Sequence, residues 1–258
     1  MKTLLLFAFL ILGSLTIQAQ DNYFLPVSTT STEAKQAYQD ALMSLQHANF
    51  NSYQDLMKKA LESDPEFYMA LTHRGLGSLN ATNPDFPKEN ITKALTVSED
   101  KLTGSEKILR KALVMLNQDL KSDISRVVKE LQAAYPTTAQ AYDLGLFVNY
   151  FYTKDYAEAV KNGEMLVKLA PNHGGGYNML GYANMEAGDM KAAKKSFKKY
   201  IKKFPEEANP YDSMGYYYMN VKDYKNSAKY YQMAADKGLE TSQELADKAK
   251  SMIENYKF

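Results

Sequence analysis

Residues 174–207, GGGYNMLGYANMEAGDMKAAKKSFKKYIKKFPEE, read as two short amphipathic helices joined by a tight turn. Tyr177, Leu180 and Gly181 fall in the first helix, and Gly188-Asp189 supplies the turn. Ala193, Phe197 and Tyr200 lie along one side of the second helix, which Pro205 ends. The same landmarks recur on both sides. Asp155, Asp189 and Asp223 follow one another at a constant step; Ala159, Ala193 and Ser227 keep that step, as do Pro171, Pro205 and Leu239. The glycines Gly145, Gly181 and Gly215 are spaced 36 and 34, so the first of these units has two extra residues before its turn. Several landmarks holding one period define a repeat array.

An aromatic residue, Leu-Gly, then Ala, Phe and Pro within one such period resembles the tetratricopeptide repeat (TPR) family. Asn184 stands where that pattern has Tyr, and Tyr200 where it has Ala. The resemblance covers much of residues 31–240 and implies an all-α fold: an α-solenoid of stacked helix-turn-helix tetratricopeptide repeats with a C-terminal capping helix. Asn209-Pro-Tyr-Asp-Ser213, following Phe197-Lys-Lys-Tyr200-Ile201, is similar to the last repeats of a group of secreted bacterial proteins.

The expected organisation follows in order. Residues 1–20 form a secretory signal peptide: Met1-Lys2, an apolar run from Leu4 to Leu15, and Ala19 before the cut. That run is shorter than the roughly 20 residues a spanning helix needs, so no stable membrane insertion is expected after cleavage. Its Ala-Gln end resembles the leaders of secreted Bacteroidetes proteins. Residues 21–30 carry no period and read as an extended arm. Two degenerate TPR-like repeats occupy 31–104, in which Lys59-Ala60-Leu61 recurs one period later as Lys93-Ala94-Leu95. A TPR-like helix pair at 105–138 is announced by the capping-box pattern Thr103-Gly-Ser-Glu106. Three regular repeats fill 139–241, and a charged amphipathic helix at 242–258 caps the open end.

Composition narrows the function. A formal charge of +1 falls to zero once Lys2 leaves with the leader, far from the basic surplus of a nucleic-acid binder. With no cysteine there is no disulfide, no thiol nucleophile and no lipid-modified cysteine, so the mature chain is expected to be periplasmic or secreted and held by apolar packing. His47, His73 and His173 stand in no metal-ligand spacing, and no Gly-x-Ser-x-Gly elbow occurs. Asn172-His173-Gly-Gly-Gly176 precedes a helix and weakly suggests an anion site, but it lacks the Lys-Ser/Thr of a phosphate loop. An inter-repeat linker with room to turn is the plainer reading. No catalysis, metal or cofactor is expected.

The resemblance places the binding groove on the first helix of each repeat. Carried over to the regular repeats, it implies Tyr142, Asn149, Asn178, Tyr182, Met185, Asp212, Tyr216, Met219 and Asn220 as groove residues, with Asp143 and Tyr150 among their neighbours. Tyr, Met and Asn together suit adaptable recognition of a protein or peptide partner. Chaperone co-factors of the family grip a carboxylate with cations; the matching positions here are Tyr142 and Leu146, Asn178 and Tyr182, Asp212 and Tyr216, so that clamp is absent. A Tyr-rich groove for a glycan or peptide fragment is the alternative. On the second helix, Lys191, Lys194, Lys195, Lys198, Lys199, Lys202 and Lys203 form a basic stripe opposite Ala193, Phe197 and Tyr200. That stripe reads first as a solvated face and second as a weak contact with an anionic surface.

Overall fold

The computed structural model describes residues 23–47 and 49–255; the expected signal peptide lies outside them. The described chain folds as an α-solenoid of thirteen α-helices, with no strand among the described residues. Successive helices pack as antiparallel pairs, A then B. The pairs are α1 (Thr32–Leu45) with α2 (Phe50–Ser63), α3 (Tyr68–Gly77) with α4 (Asp85–Thr96), and α5 (Gly104–Gln118) with α6 (Ser125–Ala134). They continue as α7 (Ala139–Phe147) with α8 (Tyr156–Leu169), α9 (Gly174–Glu186) with α10 (Met190–Lys203), and α11 (Asn209–Asn220) with α12 (Tyr224–Asp236). A final helix, α13 (Thr241–Asn255), packs on α12.

Local chemistry explains the boundaries. Asp155, Asp189 and Asp223 are N-caps of α8, α10 and α12: their carboxylates accept the backbone N–H of Glu158, Ala192 and Asn226 at 3.0, 2.8 and 3.2 Å. Each cap satisfies a helical donor that would otherwise be orphaned. The residue before each cap turns the chain left-handed: Lys154 at φ 54°, Gly188 at 84° and Lys222 at 61°. At the head of α5 the capping box is complete, with Thr103 and Glu106 each bonding the other's backbone N–H. The small residues mark helix crossings. A Cβ on Gly181 would lie within 2.7 Å of three ring atoms of Phe197, and one on Gly215 would meet Tyr231 at 2.7 Å.

The wider interval between Gly145 and Gly181 also has a structural cause. Beyond α7 the chain winds one π-helical segment, Val148–Tyr152, before reaching Lys154. A π-turn absorbs insertions without breaking the helix. It also rotates the side chains that follow, which alters the reach of this repeat into the groove.

Apolar packing divides within α9. One cluster runs from Tyr23 and Leu25 of the arm through Ala183, and a second joins Met185, Ala193, Phe197, Met214, Tyr217 and Tyr218. The first repeat also returns to touch the fifth. The Gly175 N–H donates to the Gln46 carbonyl at 3.0 Å, His47 Nδ1 meets a Glu207 carboxylate oxygen at 2.6 Å, and the His47 ring stands edge-on to Phe204. Gly174 and Gly175 thus do more than give a linker room to turn. A Cβ on Gly175 would stand 2.6 Å from the Leu45 carbonyl oxygen, and one on Gly174 would collide with the Gln46 carbonyl and the rings of Tyr200 and Phe204. Only glycine lets these backbones approach.

Candidate peptide groove

The heads of the A helices α5, α7 and α9 are already occupied by the chain's own arm. Residues 25–31 form no helix or turn, and Tyr23 and Leu25 are each only 3% exposed. A-helix side chains hold the arm chiefly through its main chain. Gln140 on α7 clasps it twice: its Oε1 accepts the Leu25 N–H at 2.7 Å, and its own N–H donates to the Tyr23 carbonyl at 2.9 Å. Ser105 Oγ donates to the Pro26 carbonyl at 2.7 Å, and Glu106 accepts the Ser28 N–H at 3.1 Å. Farther along, Thr29 Oγ1 donates to Asp64 at 2.6 Å.

Tyr23 ends in a buried relay. His173 caps α9 by accepting the Gly176 N–H at Nδ1, 2.7 Å away, so its ring proton sits on Nε2. Nε2–H then faces the Tyr23 oxygen at 3.1 Å, and the Tyr23 hydroxyl donates to Asp143 at 2.8 Å. Beside it, the Gln140 amide donates to the Tyr38 oxygen at 2.6 Å and to His73 Nε2 at 3.0 Å. Burial lowers the pKa of His73 to about 4, against a weaker opposing pull from Asp143. His173 is lowered for the same first reason. Both rings are therefore neutral at pH 7, and this cluster is an anchor for the arm. Asp143, expected among the groove residues, is bonded to the arm through Tyr23. Tyr38, Gln140 and the two histidines were not expected, because their common partner is the arm, which lies far from Gln140 and His173 in sequence.

The described residues of the arm stop at those helix heads, and farther along the A helices the remaining expected residues divide. Asn178, on α9, donates from Nδ2 to Asn209 at 3.2 Å and accepts from Ser213 Oγ at 2.7 Å. The Tyr182 hydroxyl donates to Ser213 Oγ at 3.1 Å, which links the A helices of adjacent repeats. Burial raises the Tyr182 pKa to about 12. Its ring packs edge-on against Phe197 at 5.2 Å and Tyr216 at 5.6 Å, the latter pair inclined by 69°. Tyr216 is 42% exposed; Met219 is half-buried and Asn220 exposed. Tyr150 lies within electrostatic reach of Tyr182, Tyr216 and Glu186. Phe151, 40% exposed, packs edge-on to Tyr150.

Four expected groove residues sit differently. The π-turn buries Asn149 to 3% exposure, where its Oδ1 accepts from Thr153. Met185 is 8% exposed and belongs to the second apolar cluster. Asp212 accepts from Ser242 Oγ of the capping helix at 2.6 Å, and burial raises its pKa. The Tyr142 hydroxyl turns back to the Pro136 carbonyl at 3.1 Å. Free ring and amide surface therefore concentrates on Tyr150, Phe151, Tyr182, Tyr216, Met219 and Asn220. This set offers ring faces, thioether and amide, and lacks an activated nucleophile. Among the described residues no group of three or more metal-ligating side chains occurs.

No protein-family model matches the chain. No curated protein matches it either. Solved structures do share its fold. PilW, a widely conserved type IV pilus biogenesis factor, superposes with a TM-score of 0.50 at 16% identity, covering 83% of this chain and 97% of PilW. MamA MSR-1 aligns at a TM-score of 0.47 and 15% identity, covering 67% of this chain and 98% of that one. At such identity the likeness is one of fold: a TPR-like α-solenoid. Among the described residues no helix is long and apolar enough to cross a membrane.

Proposed function

We propose that this chain is a non-enzymatic scaffold that binds an extended segment of another polypeptide along the A helices of its last three repeats. The observation that carries this is the arm. The heads of α5, α7 and α9 already hold a segment of the chain itself, mainly by hydrogen bonds to its main chain, with Tyr23 and Leu25 as buried anchors. Farther along α9 and α11, and just beyond α7, the wall carries Tyr, Met and Asn side chains. A flat glycan platform is less well supported, since the Tyr182 and Tyr216 rings are inclined by 69° rather than coplanar. The signal-peptide pattern read in residues 1–20 supports work at the bacterial envelope, in the periplasm or outside the cell.

The test is photo-crosslinking from a reactive amino acid placed at position 216, in envelope extract, with mass-spectrometric mapping of the adduct. A single polypeptide segment should be captured from position 216 and not from the equally exposed position 114. Tyr182→Ala/Tyr216→Ala protein should lose that partner in pull-downs. Adducts to sugar alone, or identical partners for the wild type and the double variant, refute the peptide groove.

A further inference from the structure

We propose that α10 is a docking surface for an anionic phospholipid bilayer, held by charge without insertion. Its seven lysines, from Lys191 to Lys203, span twelve residue steps, about 18 Å of helix. None makes an ion pair among the described residues, although lysines elsewhere do, as in Lys93–Glu89, Lys111–Glu130 and Lys161–Glu158. The helix itself, residues 190–203, contains no acid. Three lysines reach sideways, among them Lys199, which stands 5.9 Å over the Tyr177 ring. Lys203 donates to Asn172 at 3.0 Å, and Lys194 stands 4.9 Å over the Tyr218 ring, whose hydroxyl helps keep it charged. The stems of the others, with Lys194 and Lys199, border a shallow open recess of about 420 Å³. Lys225 and Lys229 on α12, both exposed, widen the patch beyond Tyr218 and Tyr230.

Geometry selects the occupant. The arm lies against the A helices, so the B helices face outward, and α10 is the B helix between α8 and α12. A convex wall meets a plane along one helix, and here that helix carries the charge. Its apolar side (Ala193, Phe197 and Tyr200) is fully buried, and Met190 at its head is the one large apolar side chain of α10 left exposed, so contact rests on charge. The cations are all lysine, compact charges on flexible stems, which suit a diffuse headgroup field better than bidentate recognition of one group. Each contributes about a fivefold gain near an anionic bilayer. This surface is separate from the peptide groove and stands whether or not that groove is used.

Sedimentation with vesicles tests it, using neutral phosphatidylcholine alone and with roughly one-third phosphatidylglycerol. Wild-type protein should bind only the anionic vesicles at about 0.1 M salt and release at about 0.5 M as the charges are screened. Lys195→Gln/Lys198→Gln/Lys202→Gln should weaken binding roughly a hundredfold. Lys35→Gln/Lys59→Gln/Lys121→Gln, exposed lysines on other elements, removes the same net charge and should retain binding. A thermal melt of each variant confirms folding. Equal loss in both triple variants, no binding by the wild type, or capture of soluble polyglutamate but not of vesicles overturns the proposal.

Discussion

Replacing Gly174 with alanine turns the contact between the first and fifth repeats into a question of sign. In an open solenoid, alanine at this first helical position would gain up to about 1 kcal/mol of backbone entropy and meet only the Tyr200 and Phe204 rings of its own repeat. In the closed arrangement the added Cβ meets the Gln46 carbonyl, a Phe204 ring atom at 2.7 Å and a Tyr200 ring atom at 2.8 Å. Tyr200 is fully buried and the Gln46 oxygen is backbone, so neither can swing aside. Overpacking of this kind costs about 1–3 kcal/mol and exceeds the propensity gain. Net destabilisation of about 1–2 kcal/mol should lower Tm by roughly 2–8 °C. Gly77→Ala is the internal control, since its Cβ would find only the Tyr53 hydroxyl at 3.8 Å; it should be neutral or slightly stabilising. Thermal unfolding of both variants reads the sign, and small-angle scattering should show Gly174→Ala expanded. A Gly174→Ala protein as stable as wild type would refute the closure.

Stability should depend on pH through the buried histidines. The folded pKa of His73, about 4, lies below its ordinary 6.5, so the unfolded chain takes up the proton first as pH falls. The stabilisation is complete above about pH 6.5, declines toward pH 4 by up to about 3 kcal/mol, and then levels. His173 acts in the same direction, while Asp212, raised by burial, opposes it. A Tm that stays flat between pH 7 and pH 4 contradicts this. Lys222→Gly should stabilise by about 1 kcal/mol, because Lys222 holds φ at 61° where a Cβ is strained; urea titration reading a loss would overturn that account.

Legibility in the sequence followed the range of the interaction. Gly181 and Gly215 were readable as repeat landmarks because Phe197 and Tyr231, which exclude a side chain there, sit on the partner helix of the same repeat. Asp155, Asp189 and Asp223 were readable as turn markers for a similarly local reason, each capping the helix it precedes. The two extra residues after Gly145 were countable, but their conversion into a π-turn that buries Asn149 was not. Gln140 escaped notice since its partners, Leu25, Tyr38 and His73, are 115, 102 and 67 residues away and follow no period. The glycines at 174–176 looked like slack between repeats; the carbonyls of Gln46 and Leu45, which exclude a side chain at Gly174 and Gly175, come from the other end of the array. A repeat pattern predicts neighbours well, and says little about a stack that meets itself.

The buried arm also dictates an order of events during synthesis. In an open repeat array each unit contacts only its neighbours, and folding can begin anywhere and spread. Tyr23 breaks that rule, since Asp143 lies 120 residues later in the chain and His173 lies 150 later. At roughly 5–20 residues per second, on the order of ten seconds separates the appearance of Tyr23 from that of its partners. Throughout that interval the arm exists without the later helices that hold it, and its two anchors, Tyr23 and Leu25, stay exposed. The first residues to emerge are thus among the last to be satisfied, which raises contact order and slows the final step of folding.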